Sequence, residues 1–149
     1  MTPALIRPAR PADLEALVGL LRILFGIEAD FDFDPARQRQ GLAMLLVHNG
    51  AVVLVAEAAG RVVGMCSGQL TISTAEGGFA LLVEDMVVAE AWQGRGLGRE
   101  LLAALEQWAA EKKIGRLQLL ADRNNTAALE FYGKLGWQPT ELICLRRRC

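Results

Sequence analysis

Leu14, Leu17, Val18, Leu21, Leu24 and Phe25 recur at helical spacing and predict a helix over 11–25 whose apolar stripe faces a core. Asp34 followed by Pro35 reads as an N-cap and first-turn pair, opening a second helix that runs to about residue 47 and stops at "HNG". The next stretch, "AVVLVAEAAGRVVGMCSGQL", is apolar and rich in β-branched residues, with a break at Ala59 and Gly60. It predicts a hairpin of strands over 52–57 and 61–73. A turn in "TAEGG" leads into a strand over 79–88, and Leu101, Leu102, Leu105, Trp108 and Ala109 mark one face of a third helix, ended by Gly115. A strand over 116–121 follows, then a helix capped by Asn125 and closed at Gly136, then a last strand within "WQPTELICLRRRC", broken by Pro139. With a short strand over 5–7, the pattern is α+β: a mixed, mostly antiparallel central sheet flanked by helices. No repeat, low-complexity tract or linker divides the chain, so 1–149 reads as a single domain.

Composition narrows the function classes. A chain of 149 residues can bury a full core without staples. Its formal charge of -1 supplies no global field to recruit nucleic acid or an anionic membrane. Arg7, Arg10 and Asp13 interrupt the N-terminal apolar residues, so no signal peptide is expected, and no apolar run approaches the roughly 20 residues of a membrane span. Cys66, Cys144 and Cys149 form no CxxC pair, and His48 is the only histidine, which argues against a disulfide framework and a metal site. A soluble cytoplasmic protein acting through a local site is the expectation.

The segment "WQGRGLGRELLAALEQWAAE" places Gly94, Gly96 and Gly98 where a helix should begin. Glycine there weakens the helix by about 1 kcal/mol relative to alanine, and the compensating use is close backbone approach to an anion at the positive end of the helix dipole. The dinucleotide fingerprint GxGxxG would need glycine at Arg99, and the GK[ST] ending of the P-loop is missing.

What fits is Gln93, two residues, Gly96, Leu97, Gly98, after a strand and opening a helix. "NNTAALEFYGKLGW" follows, with Asn125, Ala128, Tyr132, Lys134 and Gly136 at matching spacing and Trp137 in an aromatic place. Across 81–137 the chain resembles the GNAT superfamily of N-acetyltransferases, whose signatures are [Q/R]xxGx[G/A] and NxxAxxxYxKxGF. The resemblance implies the GNAT fold and acetyl-CoA as the acyl donor. It implies that the pyrophosphate is cradled by backbone N–H groups of Gln93, Gly94, Arg95, Gly96, Leu97, Gly98 and Arg99, with Arg95 and Arg99 adding charge. It further implies that the backbone of Met86, Val87 and Val88 pairs with the pantetheine amides, a strand augmentation, and that Asn125 bonds the coenzyme as well as capping its helix. Gln93 and Glu90 depart from the arginine and proline common at these places.

The implied reaction is attack of a primary amine on the thioester. An alkylammonium of pKa about 10.4 is almost wholly protonated at pH 7, so a base is useful. Tyr132, the only tyrosine, falls on the motif tyrosine and is implied as the acid for the departing thiolate. Glu84 is the preferred base and Asp85 the second choice, in a "VEDMVV" segment that resembles the "IEDI" of glucosamine-phosphate acetyltransferases. Strand neighbours face opposite sides, and a β-bulge would reverse the parity, so the choice between them stays open.

"GIEADFDFDP" lies where acceptor selectivity varies in the family. Glu28, Asp30, Asp32 and Asp34 are placed to attract a cationic small-molecule amine, with Phe31, Asp32 and Phe33 as the candidate contacts, against a plainer reading in which Asp34 caps a helix, the phenylalanines pack and the rest are solvated. Homodimers are common in the family, and no interface is legible. The competing function is a non-catalytic acyl-CoA-binding sensor, which would have no need of Tyr132 or the Glu84–Asp85 pair.

Overall fold

The structure, a computed structural model, describes residues 3–28 and 30–149. The chain forms two compact units, Met1–Gln118 and Leu119–Cys149. In the first, strand β1 (Leu5–Pro8) leads through a 3-10 turn (Pro11–Asp13) to helix α1 (Leu14–Ile27) and helix α2 (Pro35–Val47). Strands β2 (Ala51–Ala58), β3 (Arg61–Ser73) and β4 (Gly78–Val88) follow, then a 3-10 turn (Glu90–Trp92), helix α3 (Leu97–Glu111) and strand β5 (Arg116–Leu119), which runs up to the boundary. The sheet order is β1-β2-β3-β4-β5, with β1 to β4 antiparallel in sequence. Gly115 donates its N–H to Phe79 at the start of β4. A strand that begins there and stays beside β4 must run parallel to it, which makes the sheet mixed.

Local signals explain the element ends. Asp34 caps α2, accepting from the Ala36 N–H at 3.1 Å. Ala59 and Gly60 both take positive φ, 52° and 74°, in the two-residue turn between β2 and β3. The predicted first helix starts later than expected, because Pro11–Asp13 tightens into a 3-10 turn. There Asp13 accepts from the Arg10 N–H and holds the Arg7 guanidinium with both carboxylate oxygens, at 2.8 and 3.0 Å. Arg7 also reaches Glu57 at 3.1 Å, tying β1 to β2.

Gly115 does not end α3. The helix finishes at Glu111, and Lys113 takes the left-handed turn at φ 57°. At Gly115 a Cβ would stand 3.0 Å from Glu76 Oε1, the end of a flexible side chain that can shift to accept it.

Helices cover both faces of the sheet. Leu17, Val18, Leu20 and Leu21 of α1 and Leu42 of α2 pack with Val53, Val55, Met65 and Val87 on one face. On the other, α3 buries Leu101, Leu102, Leu105 and Ala109. It crosses β3 so closely that the Cys66 thiol lies 3.7 Å from the Leu101 carbonyl. The same face is tight at Gly68, where an added Cβ would meet three atoms of the Leu81 side chain, Cδ2 at 2.9 Å and Cγ and Cδ1 each at 3.0 Å. Leu81 is fully buried and has no room to turn away. Gly68→Ala is therefore expected to destabilise the fold by about 1–3 kcal/mol, read as a lower melting temperature.

The second unit contains helix α4 (Thr126–Lys134). Asn125 caps it, accepting from Ala128 N–H at 3.1 Å. Its end is a Schellman motif, with Trp137 N–H to Tyr132 O, Gly136 N–H to Gly133 O, and Gly136 at φ 92°. The predicted last strand is not formed: 137–149 has no strand, and Leu142, Ile143 and Leu145 are exposed. Pro139 removes a ladder donor, and α4 is the only regular element of this unit beside the last residue of β5, so the segment has no strand within its own unit to pair with.

Candidate active site

The glycine segment forms the structure its composition demands. Gly94 and Gly96 take φ 77° and 82°, and a Cβ at either would meet nothing within 4 Å. These glycines are required by conformation, and the space beside them is open. Gly96 is the N-cap of α3, and no side chain caps that end. Leu97 is buried and anchors the first turn, whereas Arg95, Gly96 and Arg99 are exposed. The first N–H groups of an α-helix lack intrahelical acceptors, so this end presents donors and a positive dipole to an anion. Arg95 stacks its guanidinium 4.7 Å from the centroid of Trp92, which orients a cation beside the loop.

Gln93 differs from expectation. Its N–H donates to Glu90 O at 3.2 Å and its side chain to Val88 O at 2.9 Å. It closes the loop onto the end of β4, and the donors left for an anion begin at Gly94.

Met86, Val87 and Val88 separate in the same way. Ala89 donates to Val63 O, so by the alternation of an antiparallel ladder Val87 also turns its backbone to β3, while Met86 and Val88 turn theirs to the opposite edge. Val87 is buried in the core and is removed from the expected set of backbone partners. On the outer edge, β5 has 4 residues against the 11 of β4 and starts opposite Phe79, so β4 outruns it. The chain thus offers an uncapped helix N-terminus, two open positive-φ glycines, the outward backbone groups of Met86 and the outward Val88 N–H, the Val88 carbonyl being engaged by Gln93, features that fit a long phosphorylated thioester coenzyme.

The bulge that leaves the choice of base open is present. Ser67 pairs with Glu84 and Met65 with Val87, so β4 carries one extra residue opposite Cys66, and Asp85 takes φ 54°. Glu84 is exposed, whereas Asp85 is half-buried. Burial, reinforced by Glu84 and by Glu28 at the end of α1, pushes the Asp85 carboxyl up to about 6, with Ser67 hydrogen bonding acting against the shift. Sequence reasoning named Glu28 among the acidic residues able to attract a cationic amine but did not place it beside Asp85, and it missed Ser67, a lone hydroxyl in the apolar run "VVGMCSG".

Of the acceptor candidates, Phe33 packs against the core and lies under the Arg22 guanidinium, 4.6 Å from the ring centroid. Phe31 stands 6.0 Å from the Phe25 ring and is partly exposed, and Asp32 is exposed. Tyr132, on α4, is half-buried between Phe131 and Trp137, at ring distances of 5.2 and 5.8 Å. Among the described residues no group of His, Cys, Asp and Glu could hold a metal ion, and no helix is long and apolar enough to cross a membrane.

The acetyltransferase (GNAT) family model matches residues 20–137. The aminoglycoside N(6')-acetyltransferase type 1 of Stenotrophomonas maltophilia is 30% identical over 142 residues, covering 93% of this chain and 88% of that protein. The uncharacterized N-acetyltransferase YobR of Bacillus subtilis is 35% identical over 69 residues, 46% of this chain and 27% of that protein. Among solved structures, aminoglycoside N-acetyltransferase AAC(6')-Iy in complex with CoA superposes with a TM-score of 0.84 at 20% identity, over 100% of this chain and 97% of that one. The loop geometry agrees with what the family match and the near full-length relative show: the chain belongs to the GNAT acetyltransferase family and is an N-acetyltransferase that uses acetyl-CoA.

Proposed function

We propose that the chain acetylates a primary amine of a small polycationic molecule in the cytoplasm, within one catalytic domain, and that Asp85 rather than Glu84 takes the proton of the attacking amine. The observation that carries this reading is the bulge of β4, where a half-buried Asp85 meets the charges of Glu84 and Glu28. A base working near neutral pH is best matched by a group titrating close to it, and Asp85 at about 6 has that property. The cluster of like charges also favours an acceptor with more than one ammonium group. The near full-length relative named for aminoglycoside acetylation supports an acceptor of that charge class.

Acetyl-CoA supplies an activated acyl group when bound. The chain's own parts are the N-terminus of α3 with Arg95 and Arg99 for the pyrophosphate, the outward backbone of Met86 and the Val88 N–H for the pantetheine arm, and the Met86 N–H as donor to the developing oxyanion. Asn125, its oxygen engaged in capping, keeps its amide hydrogens for the coenzyme. Tyr132 gives a proton to the departing sulfur.

Spermidine and kanamycin are expected to exceed butylamine in kcat/KM by at least about tenfold at low salt, an advantage that shrinks as salt rises. Equal values for all three, independent of salt, would contradict the polycationic acceptor. The coenzyme site has its own test. Gly96→Val forces a β-branched residue to positive φ and projects it into open space, so KM for acetyl-CoA is expected to rise more than about tenfold.

A further inference from the structure

Ser67 has no exposed surface: Val53 is its partner on β2, Met65 lies two residues before it on β3, and the Asp85 carboxyl is within its hydrogen-bonding reach. A buried hydroxyl needs a partner. This one donates to the Glu84 carbonyl oxygen on β4 at 3.1 Å. That carbonyl borders the irregular part of the ladder, where Cys66 stands opposite both Asp85 and Met86. A bulge interrupts the ladder's own hydrogen bonds, and a non-glycine residue at the 54° φ of Asp85 persists only where its surroundings hold it. The Ser67 bond ties β3 to β4 at that interruption.

We propose that Ser67 is a positioning residue for acetyl transfer: its hydroxyl latches the β4 bulge through the Glu84 carbonyl and so aims the Asp85 carboxyl at the acceptor amine. The inference rests on the assignment of Asp85 as the proton acceptor. The charged groups that act on Asp85 are Glu84 from its own strand and Glu28 from the end of α1, and both disfavour its ionised form. Ser67, from β3, favours it when its single O–H turns from the Glu84 carbonyl to the Asp85 carboxylate, so the hydroxyl serves one of the two acceptors at a time. Losing the hydroxyl removes both alternatives: the bulge loses its side-chain tie, and the carboxylate loses a donor, which moves its titration to higher pH.

The test compares Ser67→Ala, Ser67→Thr, Asp85→Asn and the Ser67→Ala/Asp85→Asn double variant. The Asp85 carboxyl is titrated by carbon-13 NMR, its signal assigned by its loss in Asp85→Asn. Turnover is followed with acetyl-CoA and spermidine, or the amine that reacts fastest in its place. Ser67→Ala is expected to lower kcat about tenfold at pH 7, leave KM for acetyl-CoA within about twofold, and shift the Asp85 titration upward. Ser67→Thr should restore both, and Ser67→Ala should add no further loss to Asp85→Asn. If Asp85→Asn keeps full turnover, the Asp85 assignment fails and the inference falls with it. If Asp85→Asn loses turnover while Ser67→Ala leaves the Asp85 titration and kcat unchanged, the inference alone is overturned. A Ser67→Ala effect confined to melting temperature overturns it equally.

Discussion

Asp85→Asn is expected to lower kcat by about 10²–10⁴, the usual worth of a positioned general base, while KM for acetyl-CoA stays within about twofold. Asparagine keeps the shape of the side chain and removes only its capacity to take a proton. The wild-type rate should climb as pH rises through about 6, because the proposed base acts only when ionised, and this acidic limb should vanish in the variant.

The same change is expected to stabilise the fold. A carboxyl moved from 3.8 to about 6 holds its proton more tightly in the folded chain than in the unfolded one. The penalty for ionising it is absent below the unfolded value, grows between the two, and is complete above about 6. At 1.36 kcal/mol per pH unit, and allowing for solvent at a half-buried site, the gain at pH 7 is on the order of 2 kcal/mol. A variant that is both slower and harder to melt is the signature of a strained functional group. Glu84→Gln, altering an exposed side chain, should lower kcat by less than about tenfold.

Tyr132→Phe is expected to reduce kcat by about 10²-fold or more with coenzyme affinity nearly unchanged. Phenylalanine retains the ring contacts with Phe131 and Trp137, and the Schellman closure of α4 uses only the backbone carbonyl of residue 132, so the helix end survives. What disappears is a hydroxyl able to donate a proton to the leaving sulfur. Loss of its hydrogen bonding should lower stability by no more than about 1 kcal/mol, so a folding defect would not mimic the kinetic one. Unchanged kcat would refute the acid role of Tyr132 and leave the remaining assignments standing.

Local chemistry was legible wherever a residue's own conformational limits decide its place. The Asp34 cap, the turn at Ala59 and Gly60, the positive φ of Gly96 and the Asn125-to-Gly136 frame of α4 all follow from side-chain and backbone rules that act within a few residues. What depends on register was not. Whether Glu84 or Asp85 leaves the surface turns on one extra residue in β4, which becomes visible only when its partners on β3 are known. The same ladder withdraws Val87 from the coenzyme-facing set. Gly115 resembled a helix stop because glycine serves that purpose often, yet Lys113 takes the left-handed position two residues earlier. The last strand failed because strand propensity needs a partner and its own unit holds only α4 beside the last residue of β5, while Glu28, legible as an acidic loop residue, could not be tied to Asp85 because the two lie on different elements.

The proposed reaction moves an acetyl group from acetyl-CoA to the nitrogen of a small polycationic amine. The most direct measurement uses isotopically labelled acetyl-CoA and a panel of spermidine, kanamycin, glucosamine, butylamine and a short peptide, with the products identified by mass. Mass detection avoids thiol reagents, which would also report the exposed Cys144 and Cys149. Labelled N-acetyl product is expected with the polycationic amines and is expected to be lost in Asp85→Asn. Tight acetyl-CoA binding with no labelled product from any amine would contradict the proposed reaction and favour an acyl-CoA sensor.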